Sequence, residues 1–151
     1  MEWFKIDWKG TYPVDTAQYR SAAIAFGIYA IYDRKGKSNK LIYIGECYWQ
    51  DFKKRLQQHK KQWLHRVKGN LYVCFGTVML PKGRKISYER VRDVEAALIH
   101  FYCPPFNTVG KRGYSGRDIL IFNTGKLIAL DPIVSPDTEL LSLLRKTRRR
   151  A

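Results

Sequence analysis

Between residues 25 and 68 the apolar residues change their spacing, and that change constrains the fold more than any other feature of the chain. In 25–33, Phe26, Ile28, Ala30 and Tyr32 alternate with Gly27, Tyr29 and Ile31, the period of two that a strand requires. Residues 34–40 hold Gly36, Ser38 and Asn39, a polar turn, and 41–45 form a second aromatic and branched run, so the two runs read as an antiparallel hairpin. Over 51–68, Phe52, Leu56, Trp63, Leu64 and Val67 fall near helical spacing, with Lys and Gln filling the other faces. Sheet and amphipathic helix must therefore share one core.

Farther along, Gly69 and Asn70 end that helix, and 71–80 is a mostly apolar, β-prone run that reads as a third, central strand. A basic loop at 81–85 leads to a second helix over 87–102, with Ser87 as its N-cap and Val91, Val94, Leu98 and Phe101 as its core stripe. Pro104 and Pro105 stop it. After a Gly-rich basic loop at 110–117, the runs 119–122 and 127–130 flank Asn123, Thr124 and Gly125 as another hairpin. Ser135, with Pro136 behind it, is expected to cap a last helix that ends in Arg145, Lys146, Arg148, Arg149 and Arg150. The order predicts an α+β domain with a small, mainly antiparallel three-stranded sheet flanked by helices, and an appended C-terminal hairpin and helix.

One domain suffices for 151 residues, and 45% hydrophobic content supplies a core. Lys and Arg number 28 against 13 Asp and Glu, a formal charge of +15 that bears on partners rather than on fold and makes a polyanion the natural candidate. Glu2, Lys5 and Asp7 interrupt the N-terminal aromatics, so no secretory signal is read there, and no stretch approaches a membrane span. A soluble, cytoplasmic protein with no membrane partner is expected. Cys47, Cys74 and Cys103 are odd in number and not in CxxC spacing, which argues for reduced thiols and against a disulfide framework or a structural zinc.

Some residues fit structure alone poorly. Glu95 has Val91, Leu98 and Ile99 as its helical neighbours, with Arg92 alone offering polar company. A carboxylate at such an edge has to be hydrogen-bonded, paired or metal-bound. Arg55 and His59 are four apart and project from one helical face, among Lys53, Lys54, Lys60 and Lys61. Tyr29 shares strand parity with Gly27, and Tyr43 with Gly45, and strand glycines mark close approach of a ligand or another backbone.

Taken together, Gly27, Ile28 and Tyr29 followed by Tyr43, Ile44 and Gly45 form the paired motif of the GIY-YIG nuclease family, which the chain resembles over 25–107. Arg55, His59, Glu95 and Asn107 continue the resemblance in order, with the spacing of its restriction-endonuclease branch. The resemblance implies a nuclease core at 25–108, with 109–151 as an extension. It implies hydrolysis of DNA phosphodiesters to 5′-phosphate and 3′-hydroxyl ends with Mg²⁺ or Mn²⁺, in restriction or in a phage or mobile element. Glu95 would then be the metal ligand, Arg55 would neutralise the phosphate, and Tyr29 would be the base for water. His59 or Tyr43 would draw off the Tyr29 proton, and Asn107 would orient.

Glu46 departs from the family pattern, which often has a small polar residue there, and strand parity points it away from Gly45. Contacts to DNA, double-stranded in preference to single-stranded, are expected from Gly45, Lys53, Lys54, Lys60, Lys111, Arg112, Arg117, Arg148, Arg149 and Arg150, the last three on a disordered phosphate-binding arm. Specificity would come from 110–151, from 3–12 or from dimerisation, with monomer and homodimer both open. A non-catalytic nucleic-acid-binding module with the same fold is the rival reading; loss of a catalytic position would favour it, and none is missing.

Overall fold

Phe4, Ile6 and Trp8 alternate with Trp3, Lys5, Asp7 and Lys9, and they form a strand, β1 (Glu2–Pro13), that links the two halves of the sheet. The computed structural model describes residues 1–150; residue 151, the end of the expected C-terminal extension, lies outside the described residues. Strands β2 (Gly27–Lys35), β3 (Ser38–Cys47), β4 (Leu71–Met79), β5 (Ile119–Gly125) and β6 (Ile133–Val134) complete a six-stranded sheet in the order β3-β2-β4-β1-β5-β6. Neighbours are antiparallel except β1 and β5, so the sheet is mixed. The expected three-stranded sheet is thus half of a larger one. β1 covers the edge that β4 would otherwise expose, and the C-terminal hairpin joins the same sheet through β1.

Four helices accompany the sheet: α1 (Val14–Ala17), α2 (Phe52–Gln62), α3 (Tyr88–Tyr102) and α4 (Thr138–Arg150). No helix among the described residues is long and apolar enough to cross a membrane. α3 packs on one face, where Val91, Val94, Ala97 and Leu98 meet Phe4, Ile6, Trp8, Ile28, Ala30 and Ile44. α2 packs on the other, where Phe52 and Leu56 meet Tyr29, Ile31, Ile42, Val73 and Phe75. Apolar on both faces, the interior strands β2 and β4 read as nearly continuous hydrophobic runs.

Boundaries differ from the sequence expectation for local reasons. α2 starts as expected, with Asp51 accepting from the Lys54 amide at 2.9 Å, but it stops at Trp63, whose φ of −150° leaves the helical region. α3 has Ser87 as N-cap and ends at Cys103 in the left-handed region before the two prolines. Asn123, expected in a turn, is buried within β5, where it accepts from the Trp8 indole at 2.9 Å and donates to the Asp131 carbonyl at 2.9 Å. β5 therefore runs on to Gly125, and the return strand is β6 rather than 127–130. Ser135 is spent on the Ile119 carbonyl and the Asp137 amide, leaving Asp137 to cap α4 through the Leu140 amide at 3.0 Å. The disordered phosphate-binding arm expected from Arg145 to Arg150 is instead the C-terminal part of α4. All three cysteines are free thiols, Cys47 and Cys74 buried and Cys103 exposed.

Candidate active site

Strand β3 lies at the edge of the sheet, and the catalytic residues expected from the motif gather on both of its sides. Two devices hold it there. A bulge between its pairs Ile31–Tyr43 and Tyr32–Leu41 turns Ile42 and Tyr43 together toward α2. On the outer side, Asn107 brackets Ile44, accepting from its amide at 2.9 Å and donating to its carbonyl at 2.8 Å, while the Phe106 amide bonds the Ile42 carbonyl. Both ends of the Asn107 carboxamide are spent on the edge strand, so this residue positions Tyr43 rather than acting on a reacting atom.

On the α2 side, Tyr29 of β2 lies across Gly45, its register partner. A methyl group at Gly45 would overlap the Tyr29 ring, so the glycine is a shelf for that ring and is buried beneath it. Gly27, at φ +147°, serves another purpose: the Gly76 carbonyl of β4 occupies the space where its Cβ would stand.

The Tyr29 hydroxyl lies 2.5 Å from His59 Nε2, and His59 Nδ1 accepts from the Trp63 indole at 2.7 Å. An indole N–H can only donate, so Nδ1 carries no proton and the neutral ring bears its proton on Nε2. His59 therefore donates to the Tyr29 oxygen. Burial, helped by the Arg55 charge, lowers its pKa to about 4, which keeps it neutral. Such a histidine supports negative charge on the phenol; it does not take the phenol's proton.

Tyr29 is itself 2% exposed, and burial holds its pKa well above the usual phenol value. Tyr43, half-buried, packs against His59 and Trp63 with ring centroids 5.1 Å away in each case. Its pKa lies above the usual phenol value, because burial outweighs the downward pull of the adjoining Tyr29 hydroxyl and Arg55 guanidinium. Arg55 donates to Gln58 Oε1 at 3.1 Å, and Gln58 is clamped reciprocally by Gln50. Trp63 and His59 thus form a line of donors that ends on Tyr29, whose ring lies 6.0 Å from that of Tyr43.

Beyond the edge strand, Tyr43 lines a cavity of about 250 Å³ with Arg92, Glu95, Phe106, Asn107 and Gly110. Burial raises the Glu95 pKa to about 7, the nearby Glu46 carboxylate raises it further, and Arg92, Arg55 and the Glu46 backbone oppose the rise. Parity does turn Glu46 away from Gly45, but α3 covers that face, so the expected outward-pointing glutamate is turned toward Glu95. Its Oε2 is buried without a hydrogen-bond partner among the described residues. Two carboxylates at close quarters with one unsatisfied oxygen suit a hard divalent cation, since Mg²⁺ keeps several waters and needs only one or two protein carboxylates. Among the described residues no group of three or more His, Cys, Asp or Glu stands ready to hold a metal.

Tyr29, Tyr43, Arg55, His59, Glu95 and Asn107 thus meet around one strand. Of the expected basic contacts, Lys53, Lys54 and Arg112 are exposed and Lys111 half-exposed in its loop. Lys60 is turned away, bonded to Gln18 and the Asp15 carbonyl, and Arg117 is paired with Asp93 at 2.8 Å. Arg148, Arg149 and Arg150 lie on α4, whose Leu141 and Arg145 line a cleft with Phe101 of α3. Trp63 and Glu46 belong to the site although the motif does not contain them. Trp63 falls four positions after His59 on the same helical face, and Glu46 lies on the strand face that the second helix had to cover. Comparison of the chain with protein-family models, curated proteins and solved structures found no match in any of the three.

Proposed function

We propose that the chain is a divalent-metal-dependent endonuclease that hydrolyses DNA phosphodiesters, as its resemblance to the GIY-YIG nucleases implies, in a cytoplasmic, DNA-associated setting. The observation that carries the reading is the meeting of Tyr43 and Glu95 in one cavity at the sheet edge, with Arg55 against the Tyr43 phenol. Glu95, with Glu46 near it, would hold Mg²⁺ or Mn²⁺, which would supply positive charge for the scissile phosphate and the departing 3′ oxygen.

The protein's own groups divide the remaining work. Arg55, a fork of donors matched to phosphate, holds the non-bridging oxygens and neutralises charge that grows toward the transition state. Tyr43 is the phenol that faces the cavity; once it has released its own proton to solvent there, its phenolate is the group placed to take a proton from the attacking water. The neighbouring Tyr29 hydroxyl and the Arg55 charge offset part of the cost that burial adds to that phenolate. Tyr29, buried and already accepting from His59, supports Tyr43 from behind, which moves the base from the first tyrosine of the motif to the second. The net charge of +15 supports a polyanionic substrate, with duplex DNA preferred to single strands.

The test is nicking or linearisation of supercoiled plasmid by the purified protein in Mg²⁺ and in Mn²⁺. Glu95→Ala is expected to abolish cutting while retaining salt-sensitive DNA binding. Cleavage that survives the substitution defeats the assignment, and a wild type inert in both metals with binding intact establishes the non-catalytic module instead.

A further inference from the structure

Three aromatic rings with no part in the chemistry above stand where β3 leaves the sheet. Tyr48 and Trp49 pack edge to face at 4.8 Å, and Tyr88, at the start of α3, lies 5.6 Å from Tyr48 and 5.5 Å from Trp49. The Tyr48 hydroxyl reaches the Ile86 carbonyl, which ties the cluster to the loop before α3. Beside it opens an apolar cavity of about 280 Å³, lined by Phe26, Gly27, Cys47, Tyr48, Lys85 and Ile86. Trp49 is 76% exposed and Phe26 54%. Large apolar side chains gathered at a cleft and left open to solvent mark a binding surface.

Charge and position select the occupant. Arg92 lies over the Tyr88 ring at 5.7 Å and also lines the cavity that holds Glu95, so the aromatic platform and the proposed phosphate site share a cation. Lys85 stands at the other rim. A second copy of this chain brings the same charge of +15 to the contact, whereas a polynucleotide brings the opposite sign together with flat rings. Cations tracking a backbone beside open aromatic faces are the arrangement by which proteins hold unpaired bases. Resting on the nucleic-acid reading given above, we propose that Trp49, Tyr48 and Tyr88, with the cleft beside them, receive one unpaired nucleobase next to the phosphate held at Arg55. The base comes either from a single strand or from a duplex that has released it.

Binding without metal separates this from the cleavage reading. In EDTA, a short single-stranded oligonucleotide and an abasic strand of equal length and charge are titrated against wild type, Trp49→Ala and Trp49→Phe by anisotropy. Trp49→Ala is expected to weaken the base-bearing strand about tenfold and the abasic strand not at all, with Trp49→Phe recovering most of the loss. A duplex carrying 2-aminopurine supplies the second arm: brightening on wild type and not on Trp49→Ala shows the base drawn from a duplex, and a response confined to the single strand identifies that source. Equal affinity of wild type and Trp49→Ala for the base-bearing strand overturns the proposal, as does an equal loss on the abasic strand. A changed sedimentation mass with unchanged DNA affinity also overturns it, making the cluster a contact between copies. A protein that binds bases through Trp49 but cuts nothing refutes the nuclease and leaves this site standing.

Discussion

The two sides of strand β3 solve opposite problems. Toward α2, the polar groups of the line have protein partners: Trp63 donates to His59, and His59 to Tyr29. Toward α3, two carboxylates share a partly buried space and Glu46 Oε2 has no hydrogen-bond partner among the described residues. The first side is complete within the chain, and the second leaves one carboxylate oxygen for the proposed cation. Buried polar groups that are fully satisfied specify one arrangement, whereas an unsatisfied carboxylate pair holds free energy that a ligand recovers.

That contrast breaks most sharply at the tyrosines. Tyr43→Phe is expected to lower the single-turnover cleavage rate by about 10²–10⁴-fold, because it removes the proton acceptor, while Tyr29→Phe costs roughly tenfold by removing support alone. Equal losses measured side by side on one plasmid substrate would erase the division between base and support.

Next in size are opposite pH dependences of stability. The folded pKa of Glu95, about 7 against an ordinary 4.5, is raised; its proton is held more tightly in the folded state, and that stability is lost as pH rises from about 4.5 to 7. The folded pKa of His59, about 4 against 6.5, is depressed; its stability is present above pH 6.5 and lost as pH falls toward 4. Each contributes up to roughly 3 kcal/mol, so the pair nearly cancels in the wild type between those limits. Urea unfolding in EDTA is expected to show Glu95→Gln losing stability relative to wild type on acidification and His59→Phe gaining it. Parallel curves for the three proteins would show that neither ring nor carboxyl is held as described.

The smallest effect sharpens the α2 side alone. Trp63→Phe deletes the donor that fixes the His59 tautomer, and ¹⁵N spectra of the imidazole are expected to change from a single Nε2–H form to a mixture, with cleavage down about tenfold. An unchanged tautomer would mean that Tyr29 alone sets the ring.

Much of this architecture is legible in the amino-acid sequence. The period of two in 25–33, the Asp51 and Ser87 caps and the proline pair after Cys103 act within a few residues, so local pattern determines them. The four-residue spacing of Arg55 and His59 likewise puts both on one helical face. β1 is also readable, in the alternation of Phe4, Ile6 and Trp8, yet its charged outward residues mask the run. Three features have no local signature. Asn107 clasps Ile44 from 63 positions away, Trp8 reaches 115 positions to Asn123, and Glu46 meets Glu95 because α3 covers its face of the sheet.

For the candidate site, then, the sequence by itself determined which side chains are present and which local element carries each. Only the tertiary structure decided that Tyr43 rather than Tyr29 faces the cavity, that His59 donates rather than accepts, and that Glu95 has a carboxylate for a neighbour. Each of those depends on which face of an edge strand is covered and by what, a matter of long-range packing that spacing along one chain does not encode.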